Sequence, residues 1–389
     1  MSPFSTKYAE ITKQIQNLDP VLYGKTRNYI DGKVSYLSPY LSRGLISTKR
    51  IFDHILSLGY KRYQISSFLQ ELAWREYYQR IWSAKGDGIF QDLKREQPDV
   101  HHFGIPKSVL LARTGIEGID KEIQKLYSIG YMHNHVRMYL ASLVCNIARA
   151  HWYEPSRWLY YHLLDGDLAS NTCSWQWVAG AFSNKKYIMN QENINRYTHT
   201  LQFQTPLDKS YEEIMTMDCP EEWSELENPI LEIDLLKWSE RLAPDLLKRF
   251  LSKEDLQNDF QADVQNKNIF LYHFYHLDPE WRSLEEGNRY LVLPPSLFKK
   301  HPVSEQVLQF TISLALENLP NLQILIQEWE DILPILAANK IYTREHPSLP
   351  HLDIHLDERE WMYPNVNGFY PSFFNYWKRC EKYLDTFFG

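Results

Sequence analysis

The chain has 389 residues, 44% of them hydrophobic and 23% charged. This is the composition of a folded globular protein and excludes collagen-like, low-complexity and wholly disordered chains. No apolar run reaches the ~18 residues that a membrane span requires, and the N-terminal MSPFSTKYAEITKQ lacks the apolar core of a signal peptide. The net charge of −7 conceals a division: residues 1–200 hold 25 Lys and Arg against 17 Asp and Glu, the remainder 17 against 32. A basic first half suits a phosphate backbone; an acidic second half does not. Cys145, Cys173, Cys219 and Cys380 lie far apart with no CxxC pair. That spacing argues against a disulfide framework and a zinc or iron–sulfur site, so reduced thiols, a cytoplasmic location and no metal are expected. The 12 Trp and 26 Tyr suit a protein that handles flat π-systems.

Residues 1–200 read as helices separated by short Gly, Pro or Asn breaks. First comes Ser35-Tyr36-Leu37-Ser38-Pro39-Tyr40-Leu41-Ser42-Arg43-Gly44. Its hydroxyls and backbone N–H groups stand just before a helix and form a plausible phosphate cradle, although Ser-Pro turns also begin ordinary helices. Apolar spacing then predicts helices over Ile46–Leu58, Tyr63–Ala84, Ile119–Tyr127, His133–Trp152 and Ser156–Leu164. This is the pattern of an all-α bundle. After about residue 205 the texture changes. An acidic stretch, helical or loop, runs to residue 262. Strand-like Ile269–Tyr275, Tyr290–Leu293 and Leu322–Ile326 follow, with a helix over Ser304–Leu319. That alternation predicts a small α/β layer, and the aromatic tail Tyr363–Phe388 closes the chain as a helix. The expected organisation is a helical domain over 1–205 followed by a smaller α/β domain over 206–389.

Three helical clusters could carry chemistry. Glu71, Trp74 and Arg75 stand at i, i+3 and i+4 and share one helix face. Alone, they read as a surface ion pair with Trp74 as a core anchor. Asn134, Arg137 and Met138 repeat the spacing. His133 and His135 project ~200° apart on a helix, which makes a poor metal pair and favours capping or core roles. Asp165-Gly166-Asp167-Leu168-Ala169-Ser170-Asn171-Thr172-Cys173-Ser174-Trp175-Gln176-Trp177 packs two carboxylates, small residues, an amide and two indoles together. Trp175 and Trp177 also diverge by ~200°, so one can sit in the interior while the other lines a cavity. Random core packing does not readily produce this string.

Together and in this order, these blocks resemble the flavin-binding helical domain of the DNA photolyase/cryptochrome family, over roughly residues 20–200. DGDLASNTCSWQW is the most diagnostic piece, followed by GYMHNHVRM and ELAWREYY. The resemblance, of the class I cyclobutane pyrimidine dimer type, implies a photolyase-type helical domain that binds FAD. It implies that Tyr23, Ser35, Leu37, Ser38 and Arg75 hold the cofactor with Asn134, Arg137, Asp165, Gly166 and Asp167. Asp165 would pair with Arg137 beside the flavin ring, and Asn171 would face flavin N5. Glu71, Trp74, Asn134, Met138 and Trp177 would receive a flipped pyrimidine dimer, with Glu71 also acting in catalysis. Trp175 and Trp152 match two members of an electron relay whose third position falls on Asp99, with no aromatic nearby.

The family's antenna domain normally comes first, whereas here the helical part starts almost at residue 1. The second half is then a relocated or degenerate antenna-like domain, or an unrelated one, and the expectation is against an antenna chromophore. The expected function is light-driven repair of cyclobutane pyrimidine dimers, a lyase reaction on UV-damaged DNA with reduced FAD as electron donor. The alternatives are a cryptochrome-like blue-light photoreceptor, signalling to a protein partner through the acidic half, and a flavin-binding remnant without a light role.

Overall fold

The computed structural model describes residues 4–262 and 268–388. The first half consists of α1 (Tyr8–Gln16), α2 (Pro20–Thr26), α3 (Ser38–Ser42), α4 (Thr48–Ser57), α5 (Arg62–Lys85), α6 (Lys107–Leu110), α7 (Glu117–Ile129), α8 (Asn134–Ser142), α9 (Tyr153–His162), α10 (Leu168–Ala179), α11 (Gln191–Thr198) and α12 (Tyr211–Thr216). Local chemistry explains several of the ends. Asp19, Ser47 and Asp167 each accept a backbone N–H at the start of α2, α4 and α10, as N-cap residues do. Gly130 ends α7 with φ 69, and a Cβ there would lie 2.6 Å from Leu164 Cγ, so both backbone and space require glycine.

The helix expected over His133–Trp152 is interrupted. It runs to Ser142, passes through a π-turn at Leu143–Ile147 and stops. The termination has a tertiary cause: Gln97 Nε2 donates to the Ala150 carbonyl and Gln97 Oε1 accepts Trp152 N–H. These bonds hold the backbone outside a helical ladder, and Arg149 adopts φ 61.

β1 (Ile105–Pro106), between α5 and α6, pairs antiparallel with β2 (Leu226–Glu227), which follows α12. Trp223 is buried with the helical core, its Nε1 donating to the Thr114 carbonyl. The boundary expected at 205/206 therefore lies inside a stretch that packs on the helical body. The second half contains α13 (Leu235–Ser239), α14 (Pro244–Leu247), β3 (Phe250–Leu251), α15 (Lys253–Ala262), β4 (Asn268–His273), β5 (Asn288–Val292), α16 (Pro295–Lys300), α17 (Glu305–Asn318), β6 (Gln323–Leu325), α18 (Trp329–Leu336), β7 (Lys340–Arg344), β8 (His355–Asp357) and α19 (Phe373–Phe388). The strands form one parallel sheet in the order β3-β6-β5-β4-β7-β8. Ile269 and Leu271 face α15 and α18, while Phe270 and Tyr272 join the core shared with the helical half. Burial on both faces is why β4 reads as an unbroken apolar run.

The halves meet closely. A Cβ on Gly44 would lie 2.2 Å from the Tyr275 carbonyl oxygen. Tyr160 and Tyr275 share a hydroxyl–hydroxyl bond of 2.6 Å. The segment before α19 returns to α5, where the buried Glu76 carboxylate accepts from Met362 N at 2.5 Å, Tyr363 N at 3.1 Å and Tyr376 Oη at 2.9 Å, with Arg80 at 3.3 Å. These donors replace the water that the carboxylate loses on burial. All four cysteines are free thiols, and burial pushes Cys380 up to about 12. Among the described residues no helix is long and apolar enough to cross a membrane.

Candidate functional site

The turn between α9 and α10 is held from three sides. From α8, Arg137 Nη2 donates to both Asp165 oxygens at 2.9 Å, and its Nε donates to the Met132 carbonyl at 2.8 Å. From α5, Arg75 and Gln79 donate to Asp167 Oδ2 at 3.0 and 2.6 Å. From the end of α3, Ser42 Oγ donates to the Asp165 carbonyl, and Arg43 donates to the Leu164 and Gly166 carbonyls. Both carboxylates are buried and fully engaged, so the turn is a fixed platform carrying two compensated charges.

Ser42 and Arg43 fall within the predicted phosphate cradle, but their bonds to the platform carbonyls have no counterpart in the sequence, because the acceptors lie some 120 residues later. Gln79 is an addition that helical spacing makes accessible, four residues beyond Arg75 on the face carrying Glu71.

Arg75 and Arg137 of the predicted set meet this platform directly, and an aromatic contact leads from the Ser35–Ser38 segment towards it. Tyr36 and Tyr131 rings are 5.5 Å apart, and the Arg137 guanidinium lies 5.5 Å from the Tyr131 ring. The Ser35–Ser38 segment is thereby brought towards the Arg137–Asp165 pair. Leu37 is buried and Ser38 opens α3. Tyr23 meets Phe68 edge-on, and Glu71 pairs with Arg27 at 3.0 Å. Burial pushes both the Tyr23 hydroxyl and the Glu71 carboxyl up, the latter against the opposing pull of Arg27. Yet neither side chain is sealed from solvent. Desolvation combined with remaining access is the signature of a recess wall. Asn134 stands exposed at the start of α8. His133 caps that helix, its Nδ1 accepting His135 N at 3.2 Å. Burial lowers both histidines to about 4.

The two indoles of α10 diverge as their spacing dictates: Trp175 is buried and Trp177 half-buried beside Tyr187. Met138 packs at the margin of the same cluster. Trp152 is fully buried, with Nε1 donating to Asp92 Oδ1 at 2.6 Å. Asp99 is held among Lys186, Arg149 and His101.

Two placements separate residues from the platform. Asn171 donates its amide to the Ser156 carbonyl at 2.8 Å and lines a small cleft with Leu168 and Thr172. Trp74 carries the ring of Phe373 on its indole.

The donor set suits a dinucleotide bearing a flat ring: hydroxyls at Ser35 and Ser38, two arginines and aromatic side walls. Ser170 Oγ, in the first turn of α10 beside Asp167, is buried without a protein partner, a polar atom that a ligand on the platform would satisfy. On this observation the residues fit FAD. Among the described residues no group of His, Cys, Asp and Glu is arranged to hold a metal ion.

Comparison with known proteins places names beside this geometry. Residues 68–215 match the family model described as the FAD binding domain of DNA photolyase. A deoxyribodipyrimidine photo-lyase of Alkalihalophilus pseudofirmus is 32% identical over 148 residues, covering 37% of this chain and 31% of that protein. Cryptochrome DASH of Gloeobacter violaceus is 30% identical, covering 41% and 33%. Among solved structures, a bacterial class III photolyase from Agrobacterium tumefaciens superposes with TM-score 0.42 at 24% identity, covering 49% of this chain and 43% of that one. The chain spans about a third of the length of these curated relatives.

Proposed function

We propose that the chain binds FAD on the platform between α8, α10 and the start of α3, and uses it under blue light to split cyclobutane pyrimidine dimers in DNA. The observation that carries the reading is the convergence of Arg137, Asp165, Arg75 and Asp167 on one fixed turn, inside the segment that matches the flavin-binding family model. The backbone and hydroxyls of Ser35, Leu37 and Ser38 would hold the pyrophosphate with Arg75, while Tyr23, Asn134, Gly166 and Asp167 complete the cradle. FAD, when bound and reduced, supplies the photoexcited electron donor.

The rest is the work of the chain. Arg137 holds positive charge beside the ring, and Asp165 fixes its direction. The basic first half draws DNA in. Trp177 and the free side of Trp74 offer faces for extruded bases. Glu71, desolvated in the recess wall, presents a carboxyl to the pyrimidine imide edge. Four free thiols accord with action in the cytoplasm.

The photoreceptor reading is favoured by one observation: Phe373 covers a face of Trp74 that a lesion would otherwise meet. In that case the acidic second half carries the protein partner. Purified, chemically reduced protein mixed with thymine-dimer DNA under blue light decides between them. Loss of dimers in light and not in darkness supports repair; full flavin loading without dimer loss leaves the photoreceptor.

A further inference from the structure

β4 is the strand at which the sheet reverses direction, with β5 and β6 following to one side and β7 and β8 to the other. In open parallel sheets, ligands bind outside the carboxyl ends of the strands at such a point. His273 ends β4 and Arg344 ends β7. Both line an open cleft with a cavity volume of about 110 Å³, which Ser42 and Arg75 of the helical body close from the other side.

Arg344 is the informative residue. Its side chain is 15% exposed. Its guanidinium donates no hydrogen bond to any described residue, and its Nε is sealed without a partner. The nearest carboxylates, Asp278 and Glu360, stand at 3.8 and 3.6 Å. Those are ion-pair distances beyond the reach of a hydrogen bond. A guanidinium has five donors and no acceptor, so this one is compensated in charge while its buried Nε is left unsatisfied. On the same wall, Arg359 Nε and His276 Nε2 are also buried without partners. Arg359 spends its other nitrogens on Gln79, Ser83 and Glu345. The two orphaned arginine nitrogens can only donate, and His276 Nε2 donates in one tautomer. Such a wall calls for a ligand made of acceptor oxygens. Asp278, Glu345 and Glu360 nearby limit how much negative charge it tolerates, which favours one phosphate group over a polyanion.

We propose that this cleft is a phosphate-binding site anchored by Arg344, with Arg359 and His276 as further donors, and that it takes a single phosphate group, free or carried by a nucleoside monophosphate. Its donors Arg344, Arg359 and His276 lie outside the flavin platform, although Ser42, Arg75 and Gln79 of that platform line the same cleft, and the proposal does not depend on that reading.

The test is calorimetric titration of the full-length chain with inorganic phosphate and, separately, with a nucleoside monophosphate, at constant ionic strength set with sodium chloride. Saturable binding of either supports the site: phosphate alone identifies the free anion, and the monophosphate alone identifies the carried one. Arg344→Gln should weaken that binding by about tenfold or more, since a charge-assisted bond is lost, with flavin content and circular dichroism unchanged. Glu360→Gln removes a competing carboxylate and should tighten it severalfold, so the second variant decides if the first does not fold. Absence of saturable binding by both ligands overturns the proposal. So does wild-type affinity in Arg344→Gln or, where that variant fails to fold, in Glu360→Gln.

Discussion

The ring of Phe373, at the start of α19, lies parallel on the indole of Trp74, with centroids 3.7 Å and planes 10° apart. The two residues are separated by about 300 positions, and the stack ties the last helix to the middle of α5. Phe373→Ala should destabilise the protein by about 3–5 kcal/mol, the usual result of truncating a buried phenylalanine. Phe373→Leu should cost about 1 kcal/mol while freeing one face of Trp74. Urea titration gives the first comparison. Lesion-bearing oligonucleotide affinity gives the second, which should rise in Phe373→Leu if Trp74 stacks on DNA.

Asp165→Ala leaves the Arg137 guanidinium without its carboxylate in a mostly buried position. Breaking such a pair from one side costs about 3–5 kcal/mol. The variant should purify with little FAD, read as the ratio of flavin to protein absorbance. Wild-type flavin content would rule out the pairing as part of the cofactor site.

Acid should weaken the fold well above the carboxylate range. His133 and His135, lowered by burial to about 4, and His162 and His301, likewise about 4, sit below the usual histidine value near 6.5. Between about 6.5 and 4 the unfolded chain binds more protons at these groups, so their contribution is present at neutral pH and is lost as pH falls. Asp278, raised by burial to about 6, acts oppositely, gaining its proton first in the folded state. These histidines outnumber the two carboxyls that burial raises, Asp278 and Glu71, which leaves a net loss, on the order of 3 kcal/mol per histidine at the full shift. Urea midpoints at pH 7.5 and 5.0 should fall accordingly, and His133→Gln should flatten the slope.

Trp175→Phe should abolish light-driven reduction of bound oxidised FAD by external reductant, while repair by chemically pre-reduced protein persists. Trp152→Phe should slow the reduction. Without an aromatic at Asp99, the outlet from Trp152 should pass to neighbours such as Tyr153, whose ring meets it edge-on at 5.6 Å. Transient absorption on Trp152→Phe, Tyr153→Phe and Trp158→Phe checks the order. Unimpaired reduction in Trp175→Phe would show that electrons arrive by another route.

Much of the fold was legible because its determinants are local. α5, predicted over Tyr63–Ala84, runs over Arg62–Lys85, and the DGDLASN string supplies both the cap at Asp167 and the helix that follows. The failures share a physical reason. The apolar run Leu140–Ile147 gives no sign of its π-turn, because the polar groups that hold the next backbone segment come from Gln97. β7 and β8 are short and partly polar, and only their pairing, β7 on β4 and β8 on β7, makes them strands. The Arg137–Asp165 pair was expected from resemblance and is present. The bond of the Asn171 amide to the Ser156 carbonyl was not expected, since a side chain's choice between a ligand and a nearby carbonyl has no counterpart in spacing.

The Glu76 carboxylate sets a constraint on when the protein can be finished. Its partners outside α5 are the backbone of Met362 and Tyr363 and the hydroxyl of Tyr376, nearly 300 residues downstream. During synthesis, α5 leaves the ribosome with an acidic side chain on the face it must later bury, and only Arg80 of the same helix to meet its demand for donors. At ordinary elongation rates of ~5–20 residues per second the wait lasts on the order of 15–60 seconds. Over that interval the early helices can form and associate, but α5 keeps one face in water. Completion is therefore a late, long-range closure, of the kind that slows folding. Any truncation upstream of residue 362 should yield a chain that remains in the hands of chaperones.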